Sequence, residues 1–213
     1  MSRPRYPVFL DLRDRPVLVV GAGRVAVRKV RGLLEAGARV RVVAPEAADE
    51  IRGLAAEGRL VWVCRGFKPA DLEGTVLAFV ATSDPAVNRA AAAAARARGV
   101  WANVADDPEA SNVHVPAVVR QGPVTVAVST GGASPELAAW LRDRVAGALP
   151  RRLGDLAEWA REVRQRAQPG AVARLLARGV ADDLDRGDRE AAGRKVSEVL
   201  AGAAERPSGT EEP

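Results

Sequence analysis

The chain is poor in cysteine, histidine and aromatic residues, and each shortage excludes a class of chemistry. Cys64 is the one cysteine among 213 residues, so no disulfide can form within the chain. It lies in the apolar stretch 60–64 and is predicted to be a buried, inert thiol. Because His114 is the one histidine, the sequence has no cluster of histidine and cysteine at the spacing of a stored metal ion. Three phenylalanines and one tyrosine offer few surfaces on which nucleic-acid bases could stack.

Long apolar runs are also missing. No stretch approaches about 18 consecutive apolar residues, so no membrane span is predicted. The N-terminus lacks a basic segment followed by an apolar one, so we predict no signal peptide and a cytoplasmic protein. The net charge of +5 comes from 32 basic residues scattered among 27 acidic ones. This balance suits a polyanionic small molecule as well as a nucleic acid, and without basic runs nucleic acid is not the expected partner.

The sequence does contain a nucleotide-binding pattern, in residues 17–46. Residues 17–20 are all apolar, as in a strand buried on both faces of a parallel sheet. Gly21 permits a tight turn, Gly23 lets a diphosphate approach the backbone, and Ala26 allows the next helix to pack closely on the strand. The first amides of that helix point at the phosphates. A second strand after the helix completes a Rossmann βαβ unit.

The identity of the nucleotide stays open at this point. NAD sites usually end the second strand with an acidic residue that binds the ribose 2′-hydroxyl, and Glu46 is the acidic candidate here. Arg24 and Arg41 could instead meet the 2′-phosphate of NADP.

The chain after this unit continues as alternating strands and helices. The predicted elements are a helix at 49–56, strands at 60–65 and 75–81, a helix at 85–98 and a strand at 100–105. Asp84 is the predicted N-cap of the second of these helices, and Gly99 ends it. The alternation is typical of a doubly wound parallel sheet, so the fold class is α/β with a Rossmann domain over 1–112.

The pattern changes near His114. Strands at 115–120 and 124–129 form a hairpin, and a helix follows with Ser134 as its N-cap. The apolar face of that helix is predicted to consist of Leu137, Trp140, Leu141, Val145 and Ala148. The remaining predicted parts are a small α+β region over 113–150, a unit over 151–205 with helices at 153–167, 171–178 and 188–205, and a disordered tail over 206–213.

Three blocks of sequence together resemble one family. They are YPVFLDL at 6–12, which leads into the glycine turn, NVADDP at 103–108 and VAVSTGGASP at 126–135. These blocks resemble precorrin-2 dehydrogenase/sirohydrochlorin ferrochelatase, the module that forms the N-terminal part of siroheme synthases. The resemblance implies NAD-dependent oxidation of precorrin-2 to sirohydrochlorin, and in many members insertion of ferrous iron, a substrate, at the same site. It covers residues 6–150 well and the helical tail loosely.

The resemblance also implies roles for single residues. The aspartate that the family uses in both steps falls on Asp106, after a strand end where open α/β sheets bind ligands, and Asp107 is the alternative. A carboxylate there could act as general base, although aspartates in such turns often serve only as caps. The implied cofactor contacts are Gly21, Ala22, Gly23, Arg24, Val25, Pro45, Glu46, Thr82 and Asn103.

Substrate contacts are expected in two places. Small residues and amides at a helix start can receive some of the eight carboxylates of the substrate, and the alternative is a capped loop with no ligand. The loop residues concerned are Ser129, Thr130, Gly131, Gly132 and Ser134. His114 is either an active-site group or a local structural residue. The family uses the region over 113–150 as a dimer interface, so a homodimer is expected.

A protein of another class also fits a Rossmann unit. An NAD(H)-sensing dimer could report the cofactor through basic helices that bind DNA, but no helix-turn-helix with clustered basic residues is present. An enzyme should bind a tetrapyrrole, whereas a sensor should bind duplex DNA with a steep salt dependence. Because no second glycine-rich methyltransferase unit is present, methylation of uroporphyrinogen is expected from another protein.

Overall fold

The computed structural model describes residues 5–105 and 107–204 of the chain. The chain divides into two compact units at the bond between Val115 and Pro116, and each unit is described by itself. Within the described residues, no helix is long and apolar enough to cross a membrane.

The first unit contains one parallel sheet of five strands. The strands are β1 (Pro16–Val20), β2 (Arg39–Val43), β3 (Val61–Val63), β4 (Leu77–Val80) and β5 (Trp101–Val104). Their order is β3-β2-β1-β4-β5, so the chain adds strands first to one side of β1 and then to the other. This topology confirms the predicted α/β Rossmann-type fold, and it places the ends of β1 and β4 side by side where such sheets bind ligands.

Successive side chains of each strand point to opposite faces of the sheet. Because apolar side chains lie on both faces, helices cover both of them. On one face Val17 and Val19 pack with α1 (Arg24–Glu35) and α2 (Asp49–Ala56). On the other face Leu18 and Val20 pack with the alanine-rich α3 (Pro85–Ala97). These four side chains are almost completely buried, and each stabilises the fold by about 1.5–3 kcal/mol through loss of apolar surface. The sheet is therefore a rigid support for the loops at its carboxyl edge.

The prediction for Cys64 is wrong, because its thiol is exposed. The predicted strand 60–65 shortens to β3, which is an edge strand, and Cys64 follows its last residue. At that position no strand or helix covers the side chain, and its Sγ lies 3.1 Å from the carbonyl oxygen of Pro45. The residues of an apolar run at the edge of a sheet are therefore not all buried.

The second unit begins with an antiparallel hairpin and ends in helices. Its elements are β6 (Ala117–Gln121), β7 (Val124–Val128), α4 (Pro135–Ala148), α5 (Leu153–Arg166), α6 (Ala171–Ala177), α7 (Val180–Asp185) and α8 (Arg189–Ala204). Leu156, Val163, Leu175 and Leu184 belong to a separate core among the last four helices.

Two sequence expectations for this unit need correction. The segment between Gly179 and Gly187 was expected to be a connection, but it contains α7, which is too short to show a helical repeat. The predicted apolar face of α4 is only partly packed, since Leu137 is 46% exposed and Trp140 57% exposed. The predicted tail over 206–213 and Glu205 lie outside the described residues.

Candidate functional site

The glycine turn after β1 is held against the end of β4. Gly21 has a φ of +101°, and a Cβ built there would lie 2.3 Å from the carbonyl oxygen of Ala81. Its amide donates to the carbonyl oxygen of Val43, at the end of β2, over 3.0 Å. This position requires glycine both for its backbone conformation and because a methyl group has no room.

The start of α1 is open where a diphosphate would bind. Gly23 is the N-cap residue, and no atom lies within 4 Å of a Cβ built on it. Among the described residues no side chain caps these amides, and the first turn of α1 has no acidic residue. The N–H groups of Arg24 and Val25 belong to a turn that lacks partners within the helix, and the helix dipole favours an anion there. Ala22 is buried between the two glycines.

The charged residues proposed for the ribose differ in their surroundings. The guanidinium of Arg41 donates to the main-chain oxygen of Asp71, so it already has a partner within the protein. Arg24 is exposed at the start of α1, and Glu46 is exposed after Pro45, beyond the end of β2. Arg24 is therefore the remaining arginine for a 2′-phosphate, and Glu46 is the candidate for a 2′-hydroxyl.

Thr82, just beyond β4, is fixed by the start of α3. Its hydroxyl donates to Asn88 Oδ1 over 2.6 Å, and the Asn88 amide donates back to the Thr82 carbonyl oxygen over 3.1 Å. Asp84 caps α3 as predicted, accepting from the amides of Ala86 and Val87. This network gives the loop after β4 one conformation beside the glycine turn.

The segment after Asp106 folds back along the edge strand β5. Ser111 Oγ accepts from the Val104 amide over 2.9 Å, and Asn112 Oδ1 accepts from the Ala102 amide over 2.6 Å. Asn103 donates its side-chain amide to the carbonyl oxygen of Val113 over 3.0 Å. The segment therefore covers backbone groups of an edge strand that would otherwise lack partners.

The two aspartates of the candidate site stand differently. Asp106 lies outside the described residues, so its role stays a prediction. Asp107 Oδ1 accepts from the Ala110 amide over 2.9 Å, and the Asp107 carbonyl oxygen accepts from the Ser111 hydroxyl over 2.8 Å. This is the turn-forming use of an aspartate, and it engages one oxygen of the carboxylate that was the alternative to Asp106.

His114 is partly buried near the end of this segment. Its Nε2 atom is buried and has no hydrogen-bond partner among the described residues. Burial, more than the nearby Arg5, lowers the pKa of His114 below its usual range. The imidazole is therefore neutral near pH 7, and it can accept a proton or a hydrogen bond but does not supply a fixed positive charge.

The predicted substrate loop of the second unit is a tight turn before α4. Gly131 and Gly132 both have positive φ. Thr130 Oγ1 donates to the Ser134 carbonyl oxygen over 3.0 Å, and Ser129 Oγ accepts from the Gly131 amide over 3.2 Å. Ser134 caps α4 as predicted, accepting from the Leu137 amide over 3.1 Å. The hydroxyl oxygens of Ser129, Thr130 and Ser134 are therefore all hydrogen-bonded within the loop or at the start of α4.

The structure brings the nine predicted cofactor residues to the carboxyl ends of β1, β2, β4 and β5, while the loop over 129–134 belongs to the other unit. Sequence reasoning missed Asn88, Ser111 and Asn112, which hold the site loops. Their signal was the ability of short polar side chains to bond nearby backbone, just after a strand or at a helix start. In the described part of the chain, no group of three histidine, cysteine or acidic residues could hold a metal ion.

Family models match residues in both units. A family model described as NAD(P)-binding matches residues 8–117, which is more than half of the 213 residues. A second model, described as sirohaem biosynthesis protein central, matches residues 121–148.

The relatives agree with these models. The siroheme synthase of Methylobacillus flagellatus is 42% identical over 208 residues, covering 93% of this chain and 44% of the relative. That of Methylococcus capsulatus is 43% identical over 203 residues, covering 87% of this chain and 43% of the relative. The chain thus spans less than half the length of these curated relatives. A solved structure, SirC, precorrin-2 dehydrogenase, is 27% identical with a TM-score of 0.74, covering 91% of this chain and 100% of SirC. These relatives give no support to a DNA-binding sensor.

Proposed function

The chain belongs to the family of siroheme synthases and precorrin-2 dehydrogenases, and we propose that it oxidises precorrin-2 to sirohydrochlorin with NAD. The observation that carries this proposal is the match to SirC, which extends over the whole of that protein. A likeness restricted to the Rossmann unit would support only a nicotinamide cofactor. Here the second unit is matched as well.

The reaction removes a hydride and a proton from the macrocycle. NAD would supply the acceptor for the hydride, and the Rossmann unit would hold it by its diphosphate at Gly23 and the start of α1. The proton passes to a general base, for which we propose Asp106. The engagement of Asp107 with Ala110 supports this choice between the two aspartates.

NAD is favoured over NADP as the cofactor. Arg41 is engaged by the backbone of Asp71, which leaves Arg24 as the one arginine of the two available for a 2′-phosphate. Glu46 is exposed after β2, where a carboxylate would accept hydrogen bonds from the ribose and repel a phosphate.

The loop over 129–134 is proposed as a second place of contact with the substrate. The precorrin-2 skeleton carries eight carboxylates, and the loop ends at the N-terminus of a helix of 14 residues. Because the hydroxyls of Thr130 and Ser134 bond within the turn, they would shape the loop while its amides meet the carboxylates. His114 is proposed as a neutral neighbour of the substrate.

We also propose that two copies of this chain form a homodimer through the region 113–150. Leu137 and Trp140 lie exposed three residues apart on α4, and neighbouring exposed apolar side chains mark interaction surfaces. The guanidinium of Arg144 lies 5.6 Å from the centre of the Trp140 ring. Aromatic residues beside arginine are common at the centres of protein interfaces.

Iron insertion is a second candidate reaction. It needs a base for two pyrrole N–H protons, and the same Asp106 could serve, with ferrous iron as a substrate held by the macrocycle.

The test is anaerobic incubation of the protein with enzymatically generated precorrin-2, with NAD, NADP or neither. We expect sirohydrochlorin only with a nicotinamide cofactor and faster with NAD. Ferrous iron is then added, and siroheme formation above the uncatalysed rate would establish the second reaction. No sirohydrochlorin with either cofactor would refute the proposal.

A further inference from the structure

Lys29 is a cation placed between α1 and the sheet. It is partly buried, and its ammonium lies 5.5 Å from the centre of the Phe79 ring. Within the described residues it forms no ion pair, whereas Arg31 on the same helix bonds Glu50 over 2.6 Å. Burial, assisted by Arg28, lowers the pKa of Lys29, as expected for a charge that has lost water and gained no acid.

The residue type at this position is itself unusual. Of the 32 basic residues of the chain, three are lysines: Lys29, Lys68 and Lys195. Lys195 pairs with the buried Asp183 over 2.5 Å, and the backbone amide of Lys68 donates to Asp71 over 2.8 Å. Lys29 differs from Lys195 in having no carboxylate partner among the described residues, and from Lys68 in holding its ammonium over an aromatic ring. A compact ammonium is easier to place in a narrow space than the broad guanidinium that the chain uses elsewhere.

The position of Lys29 relates it to the candidate active site. Phe79 is the residue before the end of β4 and pairs with Asn103 of β5, so their side chains share one face of the sheet. Asn103 stands three residues before Asp106 and holds the segment that follows it. The ammonium of Lys29 therefore lies over the carboxyl half of the β4–β5 pair, beside the strand that leads to the proposed base.

The cofactor diphosphate is not a natural partner for this charge. Lys29 is five residues beyond Arg24, the first residue of α1, which is roughly 7.5 Å along the axis. Its ammonium is turned inward over Phe79, whereas the amides proposed for the diphosphate surround the exposed Gly23. We therefore do not assign the ammonium to the cofactor diphosphate.

We propose that Lys29 binds a carboxylate of the tetrapyrrole substrate and thereby helps to orient the macrocycle at the carboxyl ends of β4 and β5. This inference rests on the proposed function. A partly buried ammonium without an acid is held ready for an anion, because much of its water is already removed before the ligand arrives. Carboxylates are the charged groups of this substrate.

The test compares Lys29→Met with Arg28→Met, which removes an exposed positive charge from the neighbouring position. Methionine keeps the length of the side chain and its contact with the Phe79 ring. The measurements are the KM for precorrin-2, the Kd of sirohydrochlorin from its fluorescence, the Kd of NAD and the Tm. For Lys29→Met we expect both tetrapyrrole constants to rise about ten- to hundredfold, with the Kd of NAD unchanged and the Tm equal or higher.

The Arg28→Met variant should resemble wild type in all four measurements. Unchanged tetrapyrrole constants in Lys29→Met, an equal loss in Arg28→Met, or a lower Tm as the sole effect would overturn the assignment of Lys29. So would a weaker Kd of NAD with normal binding of sirohydrochlorin. Failure of the folded wild type to turn over precorrin-2 would instead refute the proposed function, so the two failures are distinguishable.

Discussion

Strand β1 of the first unit and helix α4 of the second differ in how completely their apolar side chains are buried. In the first unit Val17, Leu18, Val19 and Val20 are all buried by helices that the chain itself supplies. In the second unit α4 buries only Ala138 and leaves Trp140 exposed. The central strand of the first unit is thus covered by the chain itself, whereas α4 presents apolar side chains that another molecule could cover. We expect chemistry at the carboxyl edge of the sheet and assembly through α4.

The largest expected effect breaks the chemistry of the first unit. Asp106→Asn should lower kcat for precorrin-2 oxidation by about 10²–10⁴-fold, because the amide cannot accept the proton. Asp107→Asn keeps the oxygen that accepts from Ala110, so it should stay close to wild type. Steady-state rates of both variants, with NAD binding as a check on folding, show which aspartate is the base. A loss in Asp107→Asn alone would move the base to that residue.

Core truncations test whether the units are energetically separate. Leu18→Ala and Leu175→Ala each remove a fully buried side chain, one from the core of each unit, and should each cost about 2–5 kcal/mol of unfolding free energy. Urea unfolding followed by hydrogen exchange should show the loss mainly in the unit that carries the change. Equal loss of protection in both units from either variant would show that they unfold as one.

Glycine substitutions separate the shape of the turn from its ligand. Gly21→Ala should cost about 1–3 kcal/mol in backbone strain and more through its contact with Ala81, so both the Tm and NAD affinity fall. Gly23→Ala meets no neighbour, so the Tm should hold while the Kd of NAD rises about tenfold, or about 1.4 kcal/mol. Thermal unfolding and NAD titration are the measurements. Normal NAD affinity in Gly23→Ala would contradict the proposed diphosphate site.

A charge on α4 tests the exposed surface of the second unit. Trp140→Glu should weaken the dimer by about 2 kcal/mol or more without a loss of intrinsic fold stability, because the residue is already exposed. Leu176→Glu, at an exposed position of α6, is the matched control and should leave the mass unchanged. Light scattering over a dilution series measures both. A monomeric wild type, or a dimer unaffected by Trp140→Glu, would contradict the interface.

The smallest effect concerns one buried carboxylate in each unit. Arg65 lowers the pKa of Asp71, and Lys195 lowers the pKa of Asp183. Because the folded pKa lies below the unfolded one, each pair stabilises the protein above about pH 4 and loses that contribution as the pH falls through the folded value. Lys195→Met should therefore weaken the acid dependence of the second unit only. The measurement is circular dichroism at falling pH. A change in the acid dependence of both units in Lys195→Met would contradict this prediction.

The apolar pattern of the sequence predicted the strands and helices of the first unit, because the order of residues along each element determines which side chains are buried. The uniformly apolar strand β1 and the caps Asp84 and Ser134 were found as predicted. Patterns could not show that Cys64 follows an edge strand, since edge position depends on strand order. The bonds of Ser111 and Asn112 to β5 were also beyond reach, because they depend on how the segment folds back in space.

The central claim is that this chain transfers a hydride from precorrin-2 to NAD. The most direct measurement follows NADH and sirohydrochlorin together, by absorbance under anaerobic conditions, in one reaction with purified wild type. We expect NADH and sirohydrochlorin to form at equal molar rates, and their formation to end together when precorrin-2 is exhausted. Sirohydrochlorin that forms without an equal amount of reduced cofactor would contradict it.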